Sequence, residues 1–348
     1  MMNAGPILND DGKPYVMSSS VVTATRPPIT SEEYNSDNLI NSINSIGTSW
    51  KAGHSTYPFL LFHRINEVIS PTDPRIRKSW AEFSKIPSIN DTEKNLPIEF
   101  DSRLQWPFCQ TIREISDQGS CGSCWAVSAV DAMSDRVCIH SKGIHNFRFS
   151  ASNLINCCFQ CGKGCFGGVE KAAWNYWIKF GIVSGGLYKS EQGCQPYEFE
   201  PCIGSIENCT DYNTVPVCKK ECQSKYGKSY IEDLNFGKFA YSIIKNEKAI
   251  MTEIYRNGPV QSFMHMYPDF YVYKSGVYQH IKGDSMRGHA VRIIGWGIDN
   301  LTDIPYWLAA NSFSQKWGEN GYFKIKRGTN ECAIEENVTA GIPFFKSN

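Results

Sequence analysis

Two cysteines, Cys121 and Cys124, close the stretch Gln118-Gly119-Ser120-Cys121-Gly122-Ser123-Cys124-Trp125. Its Gly/Ser-rich approach permits a tight bend just ahead of a helical run from Ala126 to Cys138. A thiol in the first turn of a helix feels the partial positive charge of the free backbone N–H groups, which favours the nucleophilic thiolate. Cys124 is therefore a candidate nucleophile. The Cys-x-x-Cys spacing also serves a structural disulfide, a redox pair or half of a zinc site. Against a redox pair, Trp125 follows the second cysteine, whereas in such motifs a Trp usually precedes the first. Against zinc, the next such pair, Cys158 and Cys161, lies further downstream than the usual ribbon gap.

A thiolate that attacks a carbonyl needs a base to take its proton and return it to the leaving amine. It also needs donors aimed at the oxyanion and a group that fixes the tautomer of the base. His289, in Gly288-His289-Ala290-Val291, opens a buried-looking strand; taken alone, such a histidine is more often structural. Asn311 ends the neighbouring strand pattern, and a hairpin would bring it beside His289. Gln118 can supply a side-chain amide, with the Cys124 backbone N–H as second donor, although a glutamine before a turn is otherwise plain polar surface. Gly167 and Gly168 would let an extended peptide approach the backbone, or form only a turn.

The positioning elements follow from periodicity. Val127, Val130, Met133 and Val137 predict an amphipathic helix behind Cys124, and Gly168 to Phe180 predicts a second. A short helix runs from Asn246 to Arg256 and is stopped by Asn257-Gly258-Pro259. Strands are predicted at Phe270 to Tyr278, Ala290 to Trp296, Tyr306 to Ala310 and Tyr322 to Lys326. A helical half followed by an antiparallel half implies an α+β, two-lobed architecture with a cleft between the lobes. Upstream, residues 1–29 are polar and expected to be disordered. A capping box at Thr30-Ser31-Glu32-Glu33 precedes a helix carrying Leu39, Ile40, Ile43 and Ile46 on one face. Residues 30–95 lack cysteine, which suggests a separately folding segment joined by a cleavable linker to residues 96–348, or an ordinary N-terminal subdomain.

Lys plus Arg and Asp plus Glu balance at 35 each, so no basic field for nucleic acid is present. No apolar run approaches a membrane span, and fourteen cysteines point to an oxidising compartment. Residues 1–30 lack the apolar core of a signal peptide, at odds with that expectation.

Together these residues resemble the papain-like cysteine peptidases, and within them the cathepsin B-like group, whose nucleophile carries the same local signature. The matching blocks are Asp117 to Trp125, Gly185-Gly186-Leu187-Tyr188, Tyr273 to His280, Gly288-His289-Ala290 and Cys332 to Pro343, with Trp50-Lys51-Ala52-Gly53-His54 resembling the propeptide. The resemblance implies a helical left lobe whose central helix bears the nucleophile, an antiparallel β-barrel right lobe, and a propeptide over 30–95 cleaved near Asn95-Leu96. It implies Cys124 as nucleophile, His289 as base and acid, Asn311 as orienter and Gln118 as oxyanion donor. A thiolate–imidazolium pair would work best at mildly acidic pH, through an acyl-enzyme. Substrate contacts are implied at Gly167, Gly168, Trp125, Phe313, Asn337 and Arg287. Implied disulfides are Cys109–Cys138, Cys121–Cys165, Cys157–Cys218, Cys158–Cys161, Cys194–Cys222 and Cys202–Cys209, which leaves Cys124 and Cys332 free and too few thiols for zinc. No metal or cofactor is implied. Expected partners are peptide or protein substrates, the chain's own propeptide and cystatin-like inhibitors; the expected location is lysosomal or secreted.

Four departures bear on activity. The loop Ile203 to Asn208 is short, and no histidine occurs between Asn146 and Met264, so the paired histidines that grip a substrate's terminal carboxylate in the group are missing. Weak or absent dipeptidyl carboxypeptidase activity is therefore expected, leaving endopeptidase action. Phe313 stands where the family has Trp, and Arg287 where it commonly has Gly. Asn337 stands where the group carries a pocket Glu, so apolar or aromatic side chains should be preferred there over Arg. The alternative is a peptidase-fold homologue with impaired catalysis that acts as a binding protein. Glycosylation sequons occur at Asn90, Asn208, Asn300 and Asn337.

Overall fold

The computed structural model describes residues 36–55, 57, 88–89, 92–202, 209–210, 212 and 217–345. The expected disorder over 1–29, the capping box and the loop 203–208 lie outside the described residues, as do Asn90 and Asn208.

Helix α3 (Cys124–His140) is the axis of the fold. The spacing predicts an amphipathic helix, but α3 is buried on nearly every side. Helix α5 (Glu170–Phe180) and the strands β9 (Arg287–Ile298) and β12 (Val338–Pro343) all pack on it. Its charged residues are ties rather than a solvated face. Asp135 pairs with Arg292 of β9 at 2.7 Å, and Arg136 pairs with Glu253 at 2.8 Å. Arg136 also donates to the carbonyls of Gly258, Pro259 and Gly341, so no buried donor on its fork lacks an acceptor nearby. Glu253 lies on α6 (Glu247–Asn257), which Asn246 caps by accepting from the Ala249 N–H.

Among the described residues the β half is one ten-stranded sheet. Its path runs β1 (Trp50–Ala52), β8 (Tyr273–Tyr278), β11 (Tyr322–Lys326), β10 (Pro305–Ala310), β9, β7 (Val260–Met266), β12, β6 (Gly237–Ile243) and β2 (Ser88–Ile89), with β3 (Phe100–Asp101) beside β9. The expected antiparallel pairing holds except where β11 meets β8 and β2 meets β6, which run parallel. The strand predicted from Phe270 begins only at Tyr273: Pro268 fixes the backbone for a helical turn over Pro268–Tyr271.

Among the described residues, the N-terminal segment is joined to the sheet. Helix α1 (Asp37–Ser45) starts at an N-cap, Ser36, and buries Ile40 and Ile43, while Ile46 is 56% exposed. β1 then adds an edge strand to β8, with Trp50 opposite Gly276. Gly276 has φ +89°, and a Cβ there would sit 2.4 Å from the Ser49 carbonyl oxygen, so only glycine admits the segment this closely. Trp50 is buried, and its indole N–H donates to the Gln279 carbonyl at 3.0 Å.

All six disulfides implied by the resemblance are present, and Cys124 and Cys332 are free.

Candidate active site

Cys124 is the first residue of α3. Ser123, at the N-cap, bonds Tyr197 rather than capping the helix with its side chain. The thiol is half-buried. Burial pushes it up to about 11, against hydrogen bonds from the backbone N–H groups of Ala290 and Trp125 and the charge of Arg287, while Glu170 adds to the rise.

Ala290 follows His289 on β9, so the strand that bears the base also touches the sulfur. Asn311 comes directly after β10, whose Ala310 pairs with Arg292 of β9. Its Oδ1 lies 2.8 Å from His289 Nε2 and 2.8 Å from the Ser312 backbone nitrogen. A backbone N–H can only donate, so that Asn atom is an oxygen, and Nε2 must carry the hydrogen. Nδ1 is then the lone-pair nitrogen of a neutral ring, and it is buried with no hydrogen-bond partner. Burial pushes His289 down to about 4, with Asn311 acting the other way. In this form of the chain both members of the pair are therefore held neutral, where the resemblance implies a thiolate and an imidazolium.

Gln118 is held at both ends of its amide. Nε2 donates to the Cys121 carbonyl at 2.9 Å, and Oε1 accepts from Ser312 Oγ at 2.5 Å. One N–H of the amide thus stays available beside the nucleophile's turn. Ser312, which carries no motif of its own, joins Gln118 to Asn311; only its place after Asn311 could have signalled it.

Phe313 is fully buried, its ring 4.9 Å from that of His289. Tyr57 of the N-terminal segment stacks on it at 4.2 Å and 14°, and donates its hydroxyl to the Gly119 carbonyl at 2.5 Å. Tyr271 donates to the Tyr57 carbonyl. Tyr57 lies within electrostatic reach of Cys124 and is 3% exposed, so it is packed into the catalytic neighbourhood. No local pattern around Tyr57 marks it, because its partners lie far along the chain.

The expected substrate contacts divide. Gly167 has φ +100° and open space at its Cα. Gly168 has no room for a Cβ, which would meet the Trp125 indole at 2.3 Å. Trp125 itself is core rather than cleft surface, buried, with its N–H on the Gly164 carbonyl at 3.2 Å. Arg287 is partly buried, and burial brings it down to about 10 while Cys124 pulls it up. Asn337 is exposed rather than set in a pocket floor, and its carbonyl accepts from the Phe263 N–H at 3.2 Å.

Residues 96–342 match the model of the papain family cysteine proteases. A cathepsin B-like cysteine proteinase of Schistosoma japonicum is 42% identical over 315 residues, covering 88% of this chain and 90% of the relative. Cathepsin B-like cysteine proteinase 4 of Caenorhabditis elegans is 47% identical over 258 residues, 72% of this chain and 76% of the relative. Among solved structures, procathepsin B S9 from Trypanosoma congolense superposes with a TM-score of 0.71 at 35% identity, covering 90% of this chain and 99% of that one. The chain belongs to the papain family of cysteine proteases, among its cathepsin B-like members.

Proposed function

We propose that the chain is the zymogen of a cysteine endopeptidase, latent while its N-terminal segment is attached and active after cleavage near Asn95-Leu96. The observation that carries this reading is the juxtaposition of two things: a His289 ring fixed by Asn311 with Nδ1 left to accept a proton, and a Tyr57 side chain stacked on the Phe313 ring that packs against it. Removing the segment rehydrates the thiol and the imidazole, which lowers the first pKa and raises the second. The proton then moves from Cys124 to His289. The thiolate attacks the substrate carbonyl, and Gln118 and the Cys124 N–H stabilise the oxyanion. His289 protonates the leaving amine, and water hydrolyses the acyl-enzyme.

Labelling with an epoxysuccinyl inhibitor before and after acid processing tests this. Cys124 should label fast only after processing. In the unprocessed chain, alkylation should be slow at neutrality and should climb as pH rises towards about 11, because the thiolate fraction grows tenfold per unit below the thiol's pKa. A processed chain that stays unlabelled supports a binding protein instead.

Endopeptidase action is favoured over dipeptidyl carboxypeptidase action by the lack of histidine between Asn146 and Met264. A strong preference for a free-acid peptide over its amide would reverse that choice. The six disulfides favour an oxidising location, lysosomal or secreted, and the exposed turn at Leu301 is the sequon best placed to carry a glycan on Asn300.

A further inference from the structure

Val127 and Val130 lie one turn apart on α3 and share a face with Asp131. That face lines a cavity of about 520 Å³, to which the buried Phe149 and the half-exposed Leu187 add further apolar wall. Cys124, His289, Asn311 and Gln118 do not line it. A short ladder joins it to their neighbourhood: Asp117 bridges Phe313, the Gln118 N–H donates to the Ser312 carbonyl at 3.0 Å, and the Ser314 N–H donates to the Ser116 carbonyl at 3.4 Å. Ser116, Asp117 and Ser314 of this ladder line the cavity. An occupant would thus abut the ladder that holds Gln118 without touching the nucleophile.

The charges of the wall are unevenly matched. Arg148 serves two carboxylates: its Nε donates to Glu114, and its Nη1 lies 3.9 Å from Asp131. Nη1 also donates to Ser116 Oγ at 3.1 Å, and Ser116 donates on to Asp131 at 2.8 Å. Lys316 is exposed to solvent. Asp117 accepts from the Gly119 N–H at 2.9 Å, and no cation pairs with it among the described residues. Burial pushes its carboxyl up to about 6, as expected of a charge that has lost water and gained no counter-ion.

We propose that this cavity is a binding site for a small organic cation, an amine on an aromatic body, whose ammonium meets Asp117 while its ring lies against Val127, Val130 and Phe149. Tyr188 and Tyr197 extend the aromatic part of the wall. The volume falls within the range of small-molecule sites, about 300–1,000 Å³, which likewise combine apolar walls with a few polar groups. A metal ion is a poorer fit, since no group of three His, Cys, Asp or Glu side chains able to hold one occurs among the described residues. An organic anion would face three carboxylates, Asp117, Asp131 and Glu114, with Arg148 already engaged by two of them. The site uses no residue of the proposed catalytic machinery, so it stands apart from the peptidase reading.

The test titrates the full chain with tryptamine by calorimetry at about pH 7.5, where Asp117 is ionised. Indole-3-propionic acid, the same ring with the opposite charge, is the comparison. Tryptamine should bind at least about tenfold more tightly than the acid, the size of one charge-assisted contact. Asp117→Asn should weaken tryptamine by about tenfold and leave the acid unchanged or improved. Val130→Phe places a ring in the cavity and should abolish binding of both. A melting curve checks that each variant is folded, and D117N decides the matter if V130F is not. No binding of tryptamine, equal affinity for the two probes, or an unchanged affinity in D117N or in folded V130F overturns the site. Labelling of Cys124 in the processed native chain reports on the peptidase reading separately, whichever way the titration falls.

Discussion

The two halves that meet at the cleft are held by different forces. Every disulfide lies between Cys109 and Cys222, in the half that carries the nucleophile. The half that carries the base has none, and its single cysteine, Cys332, is buried and free. Much of the first half is loop, as among the described residues between Gly186 and Tyr230, and covalent staples replace the backbone ladders that such loops lack. The second half is mostly ladder, from β6 to β12, with α6 packed between. The proposed chemistry draws one group from each, so its geometry depends on what crosses between them: the Asp135–Arg292 and Arg136–Glu253 pairs, and Gln118 bonded to Ser312.

Chemistry should be the most sensitive to breaking that crossing. Replacing His289 by Ala in the processed enzyme removes the proton acceptor and should lower kcat/KM by about 10⁴-fold or more. Thermal unfolding should scarcely move, which a melting curve on the same sample checks. A loss below about 100-fold would mean that the thiolate forms without the opposite half.

Next comes the buried tie. Glu253→Gln leaves Arg136 charged, buried and short of its counter-ion, and should cost about 3–5 kcal/mol in denaturant unfolding. Replacing both residues by apolar ones of similar volume should cost less, because no buried charge remains. Equal costs would show that the pair matters only as packing. A smaller effect should follow removal of a single staple. Cys157→Ala with Cys218→Ala opens a loop of sequence separation 61 and should cost about 2–4 kcal/mol. Proteolysis of that variant should nick the stretch between Cys109 and Cys222 before it touches the sheet; cleavage starting in β9 or β10 would erase the distinction between the halves.

The same contrast explains what the sequence revealed. Cys124, His289, Asn311 and Gln118 were readable because each sits in a short local pattern: a Gly/Ser bend before a helix, or the end of a β-branched run. Most helices and four strands could be read from periodicity. Residues whose environment is made by distant chain were not. Asp135 and Arg136 look like a solvated helix face until β9 and α6 arrive to pair with them. Trp125 looks like part of a cleft, but Gly168 leaves the space its indole fills. Tyr57 carries no local signal at all: it is defined by Phe313 and Gly119. The cysteine-free 30–95 stretch reads as a separate folding unit because a three-residue edge strand, β1, is too short to announce its partner.

The finest comparison is between the chain before and after its N-terminal segment leaves, and Phe313 is where to make it. In the intact chain the ring has Tyr57 stacked on one face, His289 tilted against it at 4.9 Å, and the edge-on Trp317 ring at 5.6 Å. It is fully buried, so Phe313→Trp must find room for a larger ring and an acceptor for an indole N–H. Overpacking of this kind costs about 1–3 kcal/mol. The strain falls on whichever neighbour can leave, and that neighbour is Tyr57, which is not part of the sheet. The variant should therefore weaken the hold of the segment, so that epoxysuccinyl labelling of unprocessed F313W runs about 5- to 30-fold faster than that of the native zymogen, the rate equivalent of about 1–2 kcal/mol. In the processed enzyme, where the space over Phe313 is open, kcat/KM should change by less than about threefold, since either ring excludes water from the Asn311–His289 bond. A variant slowed after processing but unchanged before it would place the tight packing on the catalytic side of the ring, and would make Phe313 a support for His289 rather than a seat for Tyr57.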